Sequence, residues 1–354
     1  LLLLPRDYLS TFLKVGTILA LALGILFVMP EFKMPAITEF IHGGGPIVGG
    51  PVIPFIFITI ACGALSGFHA TIGTGTTPKM IGNEKDVLFV GYGAMLTEGF
   101  VAVMALVAAC VLVPADYFAI NAPAAKFAEL GMQVQNLPML EAEVQETLAA
   151  RPGGSVSLAV GMAHIFSKIP FMEDLMAYWY HFAIMFEAVF ILTAVDAGTR
   201  VGRFFLQEMM GKVWPKFADK EWWPGIIITS VIFTGAWGYL VYSGDIGSIW
   251  PLFGSANQLL SALVLTSLAV FLKSTGRNGA MLYVPMTIMF VVTMTALGMS
   301  VWGIFGTIAD GTFTFMVQGL QLILAIALMI LALLVVWHAV PKLFGREEKT
   351  VKAA

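Results

Sequence analysis

The chain has 354 residues, of which 58% are hydrophobic and only 12% charged, with a formal net charge of -3. Soluble domains carry about 25% charged residues, so this composition predicts a polytopic membrane protein built as an all-α helix bundle. The acidic balance offers no nucleic-acid footprint, and two cysteines, Cys62 and Cys110, both in apolar runs, give neither a disulfide framework nor metal-ligand spacing.

A membrane span needs about 20 apolar residues. That rule reads about eight spans, at 12–29, 47–66, 88–113, 175–196, 225–243, 250–272, 281–304 and 316–340. Three regions follow: 1–114, containing a broken helix over 47–80; 115–170, a polar extracytoplasmic insertion; and 171–354, the C-terminal spans. Leu1 to Leu4, followed by Pro5-Arg6-Asp7, read as the tail of an earlier apolar segment, so the expectation is the later part of a longer protein.

Basic residues test the count, because cytoplasmic loops carry the excess of Lys and Arg. With a cytoplasmic N-terminus the inner segments hold 15 of the 19 basic residues, Arg346, Lys349, Lys352 and Lys220 among them, and the outer ones only Lys33, Lys126, Arg151 and Lys168. If 47–66 were re-entrant, every later loop would change sides and the bias would collapse. The asymmetry therefore favours a full crossing and places both termini inside.

The second segment does not end like an ordinary span. After Ala61 it runs Cys62-Gly-Ala-Leu-Ser-Gly-Phe-His-Ala-Thr-Ile-Gly-Thr-Gly-Thr-Thr-Pro-Lys79. Gly and Thr are poor helix formers and Pro78 has no N–H to donate, so 63–79 is expected to be unwound. Unwound backbone at membrane depth must be buried in protein or line a wet cavity. The candidate substrate-binding residues are Ser66, Gly67, His69, Thr74, Gly75, Thr76 and Thr77, with Lys79 at the cytoplasmic end. The plainer alternative is a Gly/Thr-rich loop after a span.

In the insertion, Leu140, Val144 and Leu148 recur every four residues, one face of a short amphipathic helix stopped by Arg151-Pro152-Gly153-Gly154. Ser157 to Ile169 reads as a second helix lying along the surface. The pair is either a lid over the outer mouth or a cover. The inner loop 197–224 is basic, which signals topology and allows an anionic-lipid contact. Trp222, Trp223, Trp237 and Trp250 fall near span ends, as an interfacial aromatic belt requires.

Two carboxylates sit at membrane depth, Glu98 and Glu187. Burying one there costs about 2.5–3.5 kcal/mol on insertion scales, and Leu would fit the pattern as well. Each is either a neutral residue hydrogen-bonded within the bundle or a proton-coupling group, and together they could share a proton. Asp196 closes its span and is expected to pair with Arg200 four residues on, or to act at a gate. Asn257 and Gln258 interrupt an apolar run, either gluing helices or lining a pathway. His164 and His181 lack the paired placement a haem would need; no cofactor or metal is expected.

Four blocks resemble the carbon starvation protein A (CstA) family. They are Phe57-Ile-Thr-Ile-Ala-Cys-Gly-Ala-Leu-Ser-Gly-Phe-His69 with Thr74-Gly-Thr-Thr-Pro-Lys79, Gly91-Tyr-Gly-Ala-Met-Leu-Thr-Glu-Gly-Phe100, Val195-Asp-Ala-Gly-Thr-Arg200 and Leu252-Phe-Gly-Ser-Ala-Asn-Gln258. The resemblance implies a prokaryotic inner-membrane permease linked to nutrient starvation, taking up peptides or pyruvate, the latter by proton symport. It also implies a LeuT-like inverted-repeat architecture, in which a broken helix offers half-helix N-termini to an anionic substrate group and free carbonyls to a proton or other coupling cation. The implied partners are a small carboxylate or peptide, the coupling cation and membrane lipid. Two departures stand out. Members run longer at the N-terminus, and a more serine-rich stretch is expected where this chain has Ala70-Thr-Ile-Gly-Thr-Gly75. Two other classes are a membrane nutrient sensor without flux and a quinone- or haem-linked oxidoreductase subunit, the second of which would show a visible cofactor spectrum.

Overall fold

The computed structural model describes residues 3–219, 221–243 and 246–345, and among these all regular secondary structure is helical. Six helical segments are long and apolar enough to cross a membrane: Tyr8–Val28, Asp86–Cys110, Glu173–Val213, Phe253–Ser274, Ala280–Ala309 and Leu320–Phe344. They match six of the eight expected spans. The segment expected at 225–243 forms the 21-residue helix Trp223–Ser243. The segment expected at 47–66 is not one continuous helix. Arg346, Lys349, Lys352 and Lys220 lie outside the described residues, as does the Trp250 side chain.

The chain divides into two compact units, Leu1–Gly49 with Gly82–Gly202, and Gly50–Ile81 with Arg203–Ala354. The first unit holds α1 (Leu3–Val28), α5 (Asp86–Leu88), which runs through a π-turn at Phe89–Gly93 into α6 (Ala94–Cys110), and the short helices α7 (Pro114–Asn121), α8 (Ala124–Glu129), α9 (Leu137–Val144) and α10 (Ser155–Phe166). It also holds most of α11 (Met176–Val213). The helix expected along the surface, α10, is the best-buried element: Ala159, Val160, Met162, Ala163 and Ile165 are fully enclosed. Small residues make this possible. Gly161 lies against the Ala108 carbonyl of α6, and an added Cβ on Gly24 of α1 would stand 3.2 Å from the Phe166 ring. An Ala/Gly-rich helix approaches its neighbours' backbones, whereas a larger one would be held off. The expectation of a helix lying along the surface is corrected: α10 is enclosed.

The amphipathic face of α9 is correct for Leu140 and Val144, but the helix stops at Gln145, whose φ of 58° is left-handed, and Leu148 is buried from the loop beyond. It therefore ends before the expected stop at Arg151. Carboxylates of the insertion satisfy this irregular backbone. Asp116 accepts from the Gln135 and Asn136 N–H groups at 2.8 and 2.9 Å, and Glu141 from those of Leu148 and Ala149 at 2.7 and 3.1 Å. Buried N–H groups need such partners.

In the second unit the hub is α13 (Ile246–Ser274), which packs on α14 (Tyr283–Ala309), α15 (Leu320–Phe344), α2 (Phe57–Ala64) and α3 (Gly67–Gly75). It passes unbroken through Gly254, Ser255, Asn257 and Gln258, so these do not loosen a turn. Its buried positions are mostly small or polar: Ser255, Ser261, Ala262, Thr266 and Ala269. In lipid such residues bring helices close, because apolar burial gives little drive there. α15 instead leaves Ile323, Ile330, Leu331, Leu334 and Trp337 exposed along one broad face, the pattern of a lipid-facing helix. Trp222 does not stand alone at an interface; its ring packs on Phe217 at 5.1 Å and Trp214 at 5.9 Å. α12 (Trp223–Ser243) follows it.

Candidate functional site

The helix break falls at Leu65–Ser66, between α2 and α3. The expected unwinding of 63–79 is corrected here. Gly63 and Ala64 belong to α2; Gly67 to Gly75, including His69 and Thr74, form α3; Thr77 to Met80, including Pro78 and Lys79, form α4. The threonines do not break the helix because their hydroxyls bond back to it, Thr71 to the Gly67 carbonyl at 2.8 Å and Thr74 to the Ala70 carbonyl at 2.9 Å. Such back-bonding uses the helix's own carbonyls and disposes of the polar group in lipid. Pro78 lies in the first turn of α4, where the missing N–H costs nothing. Thr76 is the bend between α3 and α4.

At the break, Ser66 takes an extended conformation (φ -118°, ψ 126°) and its hydroxyl accepts from the His69 N–H at 3.5 Å, an N-cap. Asn257 of α13 supplies the second partner. Its Oδ1 accepts from the Phe68 N–H at 2.7 Å, and its Nδ2 donates to Ser66 Oγ at 3.2 Å. Gly67 sits directly against the Asn257 backbone carbonyl, and a Cβ there would also stand 2.5 Å from the Leu260 Cβ, so only glycine fits this crossing. The next residue, Gln258, donates from Nε2 to the Ile58 carbonyl of α2 at 3.5 Å, and Ser261 Oγ donates to the Gln258 carbonyl at 2.6 Å. Asn257 and Gln258 are buried. The two amides thus hold both sides of the break, one on α2 and one on α3.

This arrangement brings together Ser66, Gly67, His69, Asn257 and Gln258. It also alters the expectation of a free half-helix N-terminus: the donors of Phe68 and His69 are already engaged by protein oxygens. Asn257 was legible as an interrupting amide, but its partner was not. The Ile58 carbonyl carries no signal in the sequence at all. Lys79 is exposed, with its Nζ over the Phe204 ring at 5.5 Å from the centroid.

The remaining candidates belong to the first unit. Asp196 does not pair with Arg200. It accepts a 2.7 Å ion-pair hydrogen bond from Arg6 of α1, and eight residues on Lys14 donates to Thr193 Oγ1 at 2.8 Å and lies over the Phe190 ring. Partner numbers fall as those on α1 rise, so α1 and α11 run antiparallel, and an inter-helix pair displaced the expected i,i+4 one. Glu187 is half-buried on α11 and Glu98 is exposed on α6. Among the described residues neither a hydrogen bond nor an ion pair joins them, so a shared proton is not what this geometry displays. No cluster of three His, Cys, Asp or Glu side chains that could hold a metal occurs among the described residues.

Six lipid-length apolar helices and a buried polar clasp on a broken helix define a multi-pass membrane protein. The family model described as carbon starvation protein CstA matches residues 1–296, and the chain belongs to that family. Among its relatives, the peptide transporter CstA of Bacillus subtilis (strain 168) is 54% identical over 265 residues, covering 75% of this chain and 44% of that protein. The peptide transporter CstA of Escherichia coli (strain K12) is 46% identical over 324 residues, 84% of this chain and 46% of that protein. The pyruvate/proton symporter BtsT of Escherichia coli (strain K12) is 44% identical over 349 residues, 85% of this chain and 48% of that protein. The chain thus spans about half the length of the curated relatives it matches. No solved structure gives a significant match.

Proposed function

We propose that the chain forms part of a secondary active transporter of the bacterial inner membrane that takes up peptides or pyruvate with protons, and that it is not an enzyme. The relatives named as peptide transporters and as a pyruvate/proton symporter support this reading. The observation that carries it is the Asn257 clasp. The carboxamide Oδ1 that accepts from the Phe68 N–H is chemically close to a carboxylate oxygen. A substrate carboxylate exchanges with it at the N-terminus of α3, where the helix dipole favours an anion. Release of Asn257 frees α3 from α13, so that binding is coupled to movement of a half-helix. The architecture is LeuT-like, with about eight spans and both termini cytoplasmic. Ser66, Gly67 and His69 bind substrate, with Thr74, Gly75, Thr76 and Thr77 on the same half-helix. Lys79, Asp196 and Arg200 serve the cytoplasmic gate.

Proton coupling falls to Glu187 or Glu98, the carboxylates on lipid-length helices. The test is uptake by the full reading frame that carries this chain, in cells lacking their own pyruvate and peptide permeases. Glu187→Gln or Glu98→Gln should abolish gradient-driven accumulation while leaving exchange intact. Proton-dependent uptake unchanged in both variants would remove the coupling assignment.

A further inference from the structure

α13 and α15 end together. Lys273, in the last turn of α13, donates to the Leu343 and Gly345 carbonyls at the end of α15, at 2.7 and 3.0 Å. Beside this joint the two helices leave an open groove of about 350 Å³, lined by Ser267 and Val270 of α13 and by Leu334, Val335, His338 and Lys342 of α15. Both helices are long and apolar enough to cross a membrane. The 25 residues of α15 make about 38 Å of helix against a hydrocarbon core of about 30 Å. His338 and Lys342, in its last two turns, therefore fall where hydrocarbon gives way to lipid headgroups.

The polar side chains of the groove are exposed and of one character. Neither α13 nor α15 contains an Asp or Glu, and among the described residues no ion pair engages the exposed Lys342 ammonium. A helix C-terminus repels anions, but Lys273 already occupies the α15 carbonyls and offsets that field. His338 Nδ1 lies 2.8 Å from the Leu334 carbonyl. A carbonyl only accepts, so the proton of the neutral ring sits on Nδ1 and Nε2 is left as an acceptor. Ser267 Oγ likewise donates to the Leu263 carbonyl at 3.0 Å and keeps its lone pairs. The groove thus offers one cation and two hydrogen-bond acceptors beside an apolar wall of Val270, Leu334 and Val335.

We propose that this groove is a binding site for an anionic phospholipid with a hydroxyl-bearing headgroup, of which phosphatidylglycerol is the simplest. Its phosphate meets Lys342, as basic pockets between membrane helices favour. Its glycerol hydroxyls donate to His338 Nε2 and Ser267 Oγ. An acyl chain runs along Leu334 and Leu331, both exposed on the same face of α15. A choline headgroup would bring a second cation beside Lys342 and no hydroxyl to donate. A soluble phosphate would use Lys342 but leave the apolar wall uncovered. The bound lipid braces α15 against α13, the helix that carries Asn257.

The test is native mass spectrometry of the purified full-length protein in detergent, titrated with dioleoyl phosphatidylglycerol and, separately, with dioleoyl phosphatidylcholine. The tightest phosphatidylglycerol adduct should form roughly tenfold more readily than the phosphatidylcholine one. Lys342→Gln should weaken it roughly tenfold, the loss expected for a charged hydrogen bond, and His338→Leu roughly threefold, that of a neutral one. Lys212→Gln, which removes a cation from the basic inner loop, should leave it unchanged and so controls for general surface charge. Glycerol phosphate in large excess should not displace the lipid. His338 and Lys342 are both exposed; should one variant fail to fold, as judged by circular dichroism, the other carries the test. Equal affinity for the two lipids, an adduct unchanged in the folded variants, loss on Lys212→Gln instead, or displacement by glycerol phosphate would overturn the assignment. Binding is read without uptake, so the outcome is independent of the transport reading.

Discussion

Asn257 is the residue on which the break most depends. Replacing it with Ala leaves the Phe68 N–H and the Ser66 hydroxyl without their α13 partner inside an apolar environment. The expected cost is about 1–3 kcal/mol per unsatisfied group, read as a lowered thermal midpoint of the detergent-solubilised protein. Asn257→Asp keeps the acceptor for Phe68 and should lose less. Equal losses for the two variants would mean that the amide acts only by its shape. The sequence revealed an amide interrupting an apolar run and a serine followed by glycine. It did not reveal that one would cap against the other, because residues 191 apart share no local periodicity. Asp196 carries the same lesson. A local i,i+4 partner, Arg200, was visible, but the chosen partner, Arg6, became visible only when two helices were laid antiparallel.

Among the elements, α10 and the loop before it departed most from their reading. Periodicity found Leu140 and Val144, and a helix was expected from Ser157 to Ile169, close to the observed Ser155–Phe166. It could not find burial, because Ser157, Gly161 and Ala163 look like a modest surface helix until another backbone is placed against them. The loop between α9 and α10 is held by Glu146, which accepts from Arg151 at 2.9 Å and from the Tyr180 hydroxyl at 3.2 Å. The Arg151 hydrogen bond is the main cause that holds the Glu146 carboxyl below its ordinary value, against the opposing effect of burial. A carboxyl lowered on folding contributes stability above its unfolded pKa and loses it as pH falls through the folded one. Hydrogen exchange at Ala150 and Arg151, whose N–H groups bond to Ala119 and Ile120, should therefore stay slow at neutral pH after correction for intrinsic rates. Protection should fall only once the pH drops below the usual carboxylate range of about 4. Arg151→Gln should move that loss to higher pH. Protection that does not respond to pH would dissociate the ion pair from the order of this loop.

For the whole molecule, hydropathy was enough to place six lipid-length helices, since 20 apolar residues have few other uses. The Gly/Thr-rich run marked a broken helix over 47–80 but could not put the break at Leu65–Ser66, because that position depends on Gly67 meeting α13. The antiparallel pairing of α1 with α11 agrees in sense with the topology drawn from basic residues, which puts Arg6 and Asp196 at the same membrane face. In a cysteine-free background, a membrane-impermeant maleimide on intact cells should label Glu143→Cys in the insertion and spare Thr275→Cys after α13. Labelling of both, or the reverse, would invert the arrangement.

The central claim is that a substrate carboxylate exchanges with Asn257 at the start of α3 while a proton gradient drives accumulation. The most direct measurement is uptake of labelled pyruvate and of dialanine into proteoliposomes containing the full reading frame, with and without an inward proton gradient. The account predicts gradient-dependent accumulation of at least one of the two, cut roughly tenfold or more by Asn257→Ala at unchanged protein content, the scale of one lost hydrogen bond, because α3 then has no α13 amide to return to when the carboxylate leaves. Accumulation of neither solute, or a folded Asn257→Ala protein that transports like the parent, would contradict it.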